Sequence, residues 1–267
     1  MSIQVRGLNA DRHHHLGLRR QRDHRFFNGH ITVPLWGPEV AQACRCLPIG
    51  FLRERGQLQL VAITGLRQRE NLFVDAAGRW LADYVPAHVR AHPFRFARRQ
   101  EDGTTPVLAL VENDRDVVGA DGISVGNREA LFTEHGEPGP PTQWAMRLFR
   151  ELLRQDRAGE ILERCDRLGL VIPWEIQTEE PRSGRVIHVD GLHRIDESRL
   201  NALADGDFLT LRRGGGLALI YAHLISVPLL ANLKQRLRSR PAQQAATTSE
   251  GLDRVVAGDD EELFEFY

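Results

Sequence analysis

Eleven histidines are spread through 267 residues, and a few patterns around them could do chemistry. His188-Val-Asp190, in a short apolar run, has the His-x-Asp spacing of a facial-triad iron site. That chemistry needs a third ligand, for which His223 or His193 is available. His88 and His92 are four apart, which would put two imidazoles on one helical face, but Pro86 and Pro93 leave little room for a regular helix. His13, His14 and His15 lie in a polar, basic tract that reads as a flexible segment.

Other motifs are incomplete. Gly122-Ile-Ser124-Val-Gly126 matches the nucleophile-elbow string, but lacks the strand before it and the helix after it. Gly214-Gly-Gly216 precedes a helix without the lysine and serine or threonine of a phosphate loop, and reads as a hinge. Cys44, Cys46 and Cys165 are odd in number and lack a two-residue gap, so reduced, mostly buried thiols are expected. No catalytic set is complete, and neither a metal nor a cofactor is expected.

The stretch from Glu70 to Arg90 has the composition of a recognition surface. Glu70, Asn71, Asp75, Trp80, Tyr84 and Arg90 combine aromatics, arginine and an amide beside a strand end. The same residues would also serve as core groups with satisfied polar tips. Tyr221 and His223, inside an apolar helix, join them as ligand-binding candidates under the same two readings. The functional reading requires these groups to meet at one concave surface.

The elements that must position them follow from pattern. His30–Leu35 reads as a strand, and Pro38 opens a short helix to Leu47. Ile49–Leu52 and Leu58–Ile63 flank a turn at Arg55-Gly56-Gln57 and form a hairpin. Asn71–Asp75 reads as a strand; Phe94–Phe96 and Val107–Val111 pair around a turn at Asp102-Gly103. Residues 112–142 read as a long surface loop. Thr142 would cap a helix running to Leu168, with Gly159 as a possible break. Ile172–Thr178 and Val186–Val189 form another hairpin, Asp196–Leu203 a short helix, and Leu217–Leu237 the last long helix.

The expected fold is thus a single α+β domain, mainly antiparallel strands packed against two long helices. A flexible basic segment occupies residues 1–28, the domain 29–238, and a disordered acidic tail 239–267. The closing Leu263-Phe-Glu-Phe-Tyr267 reads as a frayed tail rather than a docking peptide.

Net charge is −1, with 35 basic and 36 acidic residues, which gives no reason to expect nucleic acid. No signal-peptide pattern is visible, and Leu217–Leu230 is shorter than the ~20 residues of a membrane span. A cytoplasmic protein without a transmembrane segment is expected.

Several segments recur in the order of a known family. They are Val33-Pro-Leu35; Leu47-Pro-Ile-Gly-Phe51; Glu70-Asn-Leu-Phe-Val-Asp75; Tyr84-Val-Pro-Ala-His-Val-Arg90 with His92-Pro-Phe94; Leu131-Phe132 with Gly136-Glu-Pro138; Gly191–Asp196; and Tyr221-Ala-His-Leu224 with Ser226. Over residues 13–238 the series resembles the SapC-like family of bacterial proteins. That resemblance implies a role in surface-layer, export or nutrient-linked physiology, among neighbours that include TonB-dependent receptors, cupin-like oxygenases and tryptophan halogenases. It assigns no reaction and no catalytic residue. Family members usually carry tyrosine where this chain has His88 and His92, and phenylalanine or tyrosine at His193; His223 falls on the pattern.

Two functions follow as expectations. The first is a non-catalytic accessory or binding protein with a protein or peptide partner. The alternative is an iron-dependent oxygenase or other metal enzyme using His188, Asp190 and His223.

Overall fold

A computed structural model describes residues 3–99, 106–119, 127–181, 183–240 and 264–266. In chain order the elements are β1 (Val5–Gly7), α1 (Ala10–His13), β2 (Leu16–Arg19), β3 (Thr32–Pro34), α2 (Val40–Ala43), β4 (Ile49–Glu54), β5 (Gln57–Ile63), α3 (Ala87–Ala91), β6 (Phe94–Arg99), β7 (Pro106–Val111), β8 (Val117–Gly119) and β9 (Arg128–Ala130). There follow α4 (Pro140–Gln155), α5 (Ala158–Arg167), β10 (Val171–Pro173), β11 (Ile176–Glu179), β12 (Val186–Val189), β13 (Leu192–Ile195), α6 (Glu197–Asn201), α7 (Asp205–Arg213), α8 (Gly216–Ser226), α9 (Leu229–Ser239) and β14 (Phe264–Phe266). The fold is α+β and the strand pairs are antiparallel, as the pattern implies. The residues divide into two compact units: Met1–Asp23, Ala91–Arg154 and Ser249–Tyr267 in one, His24–Arg90 and Gln155–Thr248 in the other.

The first unit holds a sheet in the order β1-β7-β6-β14 and a smaller one in the order β8-β2-β9. Leu18, Phe94, Leu110, Leu131, Phe132 and Ala145 form its core cluster. On α4, Ala145, Phe149 and Leu152 are buried at helical spacing, and Phe149 stacks on Phe96 of β6 with centroids 4.2 Å apart. The tract 1–28, expected to be flexible, contributes β1, α1 and β2 to this unit. The 112–142 segment supplies β8 and β9, which pair with β2 on either side. Thr142 does not cap α4; it lies inside the helix and its hydroxyl donates to the Leu131 carbonyl at 2.8 Å.

The second unit is built on the sheet β10-β13-β4-β5-β3. The β4–β5 hairpin turns at Arg55 and Gly56, both with positive φ (48° and 84°), the backbone of a two-residue turn that matches strand twist. Phe51, Leu47, Ile49, Ile63, Leu162, Leu170 and Ile220 are fully buried in its core. Each such side chain contributes about 1.5–3 kcal/mol by leaving water.

The helix expected to run from Thr142 to Leu168 is two helices. The break falls at Asp156–Arg157 and not at Gly159. Asp156 Oδ1 accepts the Ala158 N–H at 3.1 Å and the Gly37 N–H at 2.8 Å, so the aspartate satisfies a donor at the start of α5 and ties it to the loop before α2. The last helical run, Gly216–Ser239, divides into α8 and α9 near Pro228. By length and composition alone it could cross a membrane. In the structure Leu219, Ile220, Ala222, His223 and Ser226 turn one face of α8 into the core.

Candidate functional site

Trp80, Tyr84 and Arg90 do come together, around a residue the sequence reading missed. Glu39, 3% exposed, accepts the Tyr84 hydroxyl at 2.5 Å and the Ala87 N–H at 2.7 Å on Oε1, and the Trp36 N–H at 2.9 Å on Oε2. Burial raises its pKa and outweighs these three hydrogen bonds. Burial and the Glu39 carboxylate also push the Tyr84 phenol up, so the phenol stays protonated and donates. Trp80 Nε1 donates to the Tyr84 carbonyl at 2.8 Å, and its ring stacks on Phe73 at 5.9 Å. Exposed Arg90 lies 5.9 Å from the Tyr84 ring centroid, and its Nε donates to the Val85 carbonyl at 3.0 Å. The knot fastens the 36–39 turn to the start of α3. Its legible signal was Pro38-Glu39 opening a helix, where a carboxylate three residues past the cap reaches back to the cap N–H.

Glu70, Asn71 and Asp75 serve other partners. Arg67 grips Glu70 with two hydrogen bonds of 2.7 Å and reaches Glu180 at 2.9 Å. Arg240 donates to the Asn71 carbonyl at 2.5 Å and the Val74 carbonyl at 3.2 Å. The Asn71 side chain accepts the Phe73 N–H at 2.8 Å. Asp75 closes the turn before Trp80, accepting the Arg79 N–H and its Nε, both at 2.8 Å. Residues 71–75 form no strand; Val74 makes a single bridge to Trp80.

His223 and Tyr221 face opposite ways. Tyr221 is 44% exposed on the outside of α8, whereas His223 is fully buried. His223 Nδ1 lies 2.9 Å from the Ile49 carbonyl, and Nε2 accepts the Ile195 N–H at 3.1 Å. The ring packs 4.8 Å from Phe51 and 5.9 Å from Trp174. Burial pushes its pKa down to about 4, against the pull of the Ile49 hydrogen bond. Neutral, with its proton on Nδ1, it fills the gap where β13 diverges from β4; those strands pair only at Leu192–Leu52 and His193–Phe51. Ser226, one turn on, accepts the Ile49 N–H at 2.9 Å and donates to the His223 carbonyl at 2.7 Å.

With both ring nitrogens spent on main chain, His223 cannot complete an iron site with His188 and Asp190, which sit exposed on and just after β12. Among the described residues no group of three His, Cys, Asp or Glu side chains could hold a metal ion. Cys165 is a core thiol whose pKa burial raises to about 11, and Gly214–Gly216 join α7 to α8 with Gly215 left-handed at φ 76°. Ser124 lies outside the described residues.

The first unit holds a polar network that the sequence reading placed in a surface loop. Asp114, just past β7, accepts His92 Nε2–H at 2.8 Å and the Asp116 N–H at 2.8 Å. Arg95 reaches His92 Nδ1 at 3.2 Å, and Arg22 donates to the His92 carbonyl at 3.2 Å. Burial drives the His92 pKa down to about 4, against Asp114. Burial would raise the Asp114 carboxyl, but the contacts with His92, the Asp116 N–H and Arg115 hold it below its usual value. Two residues earlier, Glu112 pairs with fully buried His13 at 3.0 Å and with Arg6 at 3.2 Å. His92 resembles the oriented base of a hydrolase, but Arg95 occupies the nitrogen that would take a proton. The available signal was Glu112-x-Asp114-x-Asp116 directly after an apolar strand.

The remaining feature is a sheet edge. Phe264–Phe266 lies antiparallel along β6, with Phe264 opposite Arg99, Glu265 opposite Arg98 and Phe266 opposite Ala97.

The SapC family model matches residues 8–233. The chain belongs to the SapC family. No curated protein and no solved structure matches it. The SapC match contains β6 and all eight sequence-predicted site residues, and stops before β14.

Proposed function

We propose that this SapC-family chain is a non-catalytic binding protein that takes an extended segment of a protein or peptide partner as an added strand on β6. The supporting observation is the antiparallel register of Phe264–Phe266 on that strand: β6 already accepts a strand on the side away from β7. Strand addition gives affinity through main-chain hydrogen bonds and specificity through alternate side chains. Glu39, Glu70, Asn71, Asp75, His92 and His223 are committed to structural hydrogen bonds or ion pairs, which supports binding over chemistry at those residues. The setting, bacterial surface, export or nutrient-uptake physiology, is the one the family resemblance implies.

The test is selection of displayed ten-residue peptides on the full chain carrying Phe264→Pro and Glu265→Pro, followed by amide exchange of the bound protein. Consecutive residues of an antiparallel strand point their N–H groups to opposite sides, so adjacent prolines remove at least one ladder donor and release β6. Selected peptides that slow exchange in residues 94–99 support the reading. Peptides that protect only other regions, or none selected, overturn it.

A further inference from the structure

We infer that the outward face of α8 docks on an anionic phospholipid surface. Ala218, Tyr221 and Ile225 enter the lipid boundary, and basic residues at the two ends of the helix meet the headgroups. This contact is separate from the strand carried by β6 and does not depend on it.

The helix face carries the apolar half. Ala218, Tyr221 and Ile225 are exposed at helical spacing along α8, Tyr221 by 44% and Ile225 by 65%. Half-buried Leu217 and Leu224 flank them, and residues 214–232 contain no Asp, Glu, Lys or Arg. Single exposed apolar side chains are normal on a soluble surface, but a run of them along one uncharged helix face marks an interaction site. His223 and Ser226 fasten the opposite face to β4, so α8 meets lipid lying along the surface and not across it. A tyrosine on such a face suits the headgroup boundary, where the ring is buried and the hydroxyl stays wet.

Charge identifies the occupant. Residues 208–240 contain six basic side chains and no acidic one, in a chain whose charges otherwise balance. Arg236 lies over the Phe73 ring at 4.8 Å and Arg240 donates to the Asn71 carbonyl, so both serve the fold. Of the others, Arg212 and Arg213 end α7 just before the apolar face, and Lys234 and Arg238 follow it on α9. The α7 acids, Asp205 and Asp207, lie in its first turn, about two turns from the junction with α8. Glu160, beside the Gly214–Gly216 turn, is paired with Arg157 at 3.1 Å. Cations at both ends of an uncharged apolar face complement an anionic bilayer, whose surface attracts Lys and Arg and whose boundary takes the side chains between them. A second copy is the poorer occupant. Paired through this face, parallel or antiparallel, two α8 helices would set cation against cation at both ends.

The test is co-sedimentation of the full chain with phosphatidylcholine vesicles, with and without phosphatidylglycerol, in low salt and in about 1 M salt. Three variants accompany the native protein: Tyr221→Asp/Ile225→Asp, Arg212→Gln/Arg213→Gln, and Val186→Asp. The last puts the same charge on a β12 side chain that is 55% exposed. All are checked for an unchanged thermal midpoint and for mass in solution. We expect the native chain to sediment with the anionic vesicles, and high salt to weaken the binding. Tyr221→Asp/Ile225→Asp should lower the partition about tenfold or more. Arg212→Gln/Arg213→Gln should lower it about tenfold, and Val186→Asp should leave it unchanged. No binding to anionic vesicles, or equal binding to neutral ones, would overturn the proposal. An equal loss in Val186→Asp would remove the contact from α8. A dimer that Tyr221→Asp/Ile225→Asp dissociates, with no vesicle bound, would give the face to a second copy and overturn the lipid assignment.

Discussion

His223 and Ile49, 174 residues apart, are joined by a 2.9 Å hydrogen bond from the ring to the main-chain oxygen, while Ser226 takes the Ile49 N–H at the same distance. One helical turn thus satisfies both main-chain groups of the first residue of β4. The second ring nitrogen serves Ile195 at the end of β13, so α8 replaces the ladder bonds lost where the two strands part.

Replacing His223 with alanine leaves a buried carbonyl and a buried N–H without partners and opens a cavity beside Phe51. We expect a loss of about 3–5 kcal/mol, read from urea unfolding. Ser226→Ala removes one acceptor and should cost about 1–2 kcal/mol. A His223→Ala variant of native stability would remove the ring from the account of the sheet.

Acid should weaken the fold through two histidines. His92 and His223 are held neutral, with pKa values near about 4 set by burial. Unfolded histidine titrates near about 6.5. Below that pH the unfolded chain binds protons that the folded chain refuses, so their contribution is intact above pH about 6.5 and drains as pH falls toward about 4. Glu39 acts in the other sense: its raised pKa favours the protonated folded form, and that contribution is lost as pH rises through the raised value. The urea midpoint should fall from pH 7 to pH 5, and His223→Gln should flatten the slope even though it lowers stability at pH 7. Asp114, Arg95 and Arg22 face His92, and Arg194 acts on His223; an unchanged slope in His223→Gln would assign the titration to the His92 group.

Tyr84 and Glu39 should be coupled. Tyr84→Phe removes one donor from a buried carboxylate, and Glu39→Gln turns an amide group toward donors it cannot accept from. Costs of about 1–1.5 and about 2–3 kcal/mol are expected, with the double variant less destabilised than their sum. Additivity would mean that the short hydrogen bond contributes nothing specific.

Two glycines should respond oppositely to alanine. A Cβ on Gly65 would lie 1.8 Å from the main-chain oxygen of Glu70, so Gly65→Ala should cost about 3 kcal/mol or more. A Cβ on Gly159, within α5, meets nothing within 4 Å, and Gly159→Ala should stabilise by about 0.5–1 kcal/mol. Thermal midpoints moving the same way would contradict the packing at one of the two.

The legible parts of the sequence were those where local pattern agrees with the fold. Apolar runs around Arg55-Gly56 gave the β4–β5 hairpin, and those around residues 94–111 gave β6 and β7. Long-range pairing was not legible. His13 lies in a tract with no periodic apolar stripe, and its long-range partner Glu112 is brought close by β1 pairing with β7. The continuous stripe on 142–168 hid a break set by an aspartate bonding to Gly37, a contact between distant residues. At the candidate site, composition marked Trp80, Tyr84 and Arg90 as a group but not Glu39, which organises them. It placed His223 beside Tyr221, although helical spacing turns one inward and the other out. The convergence of all eight groups on one surface, required by the sequence reading, is not what the structure builds.

β6 carries Phe264–Phe266 as its outer strand, which is what makes it a strand-accepting edge in the proposed function. The decisive measurement is amide exchange of Ala97–Arg99, the residues that β14 pairs with, in the native chain and in the Phe264→Pro/Glu265→Pro variant. Within Ala97–Arg99, amides facing away from β7 should exchange about tenfold or more faster in the variant while those facing β7 are unchanged. Identical exchange in the two proteins would contradict it.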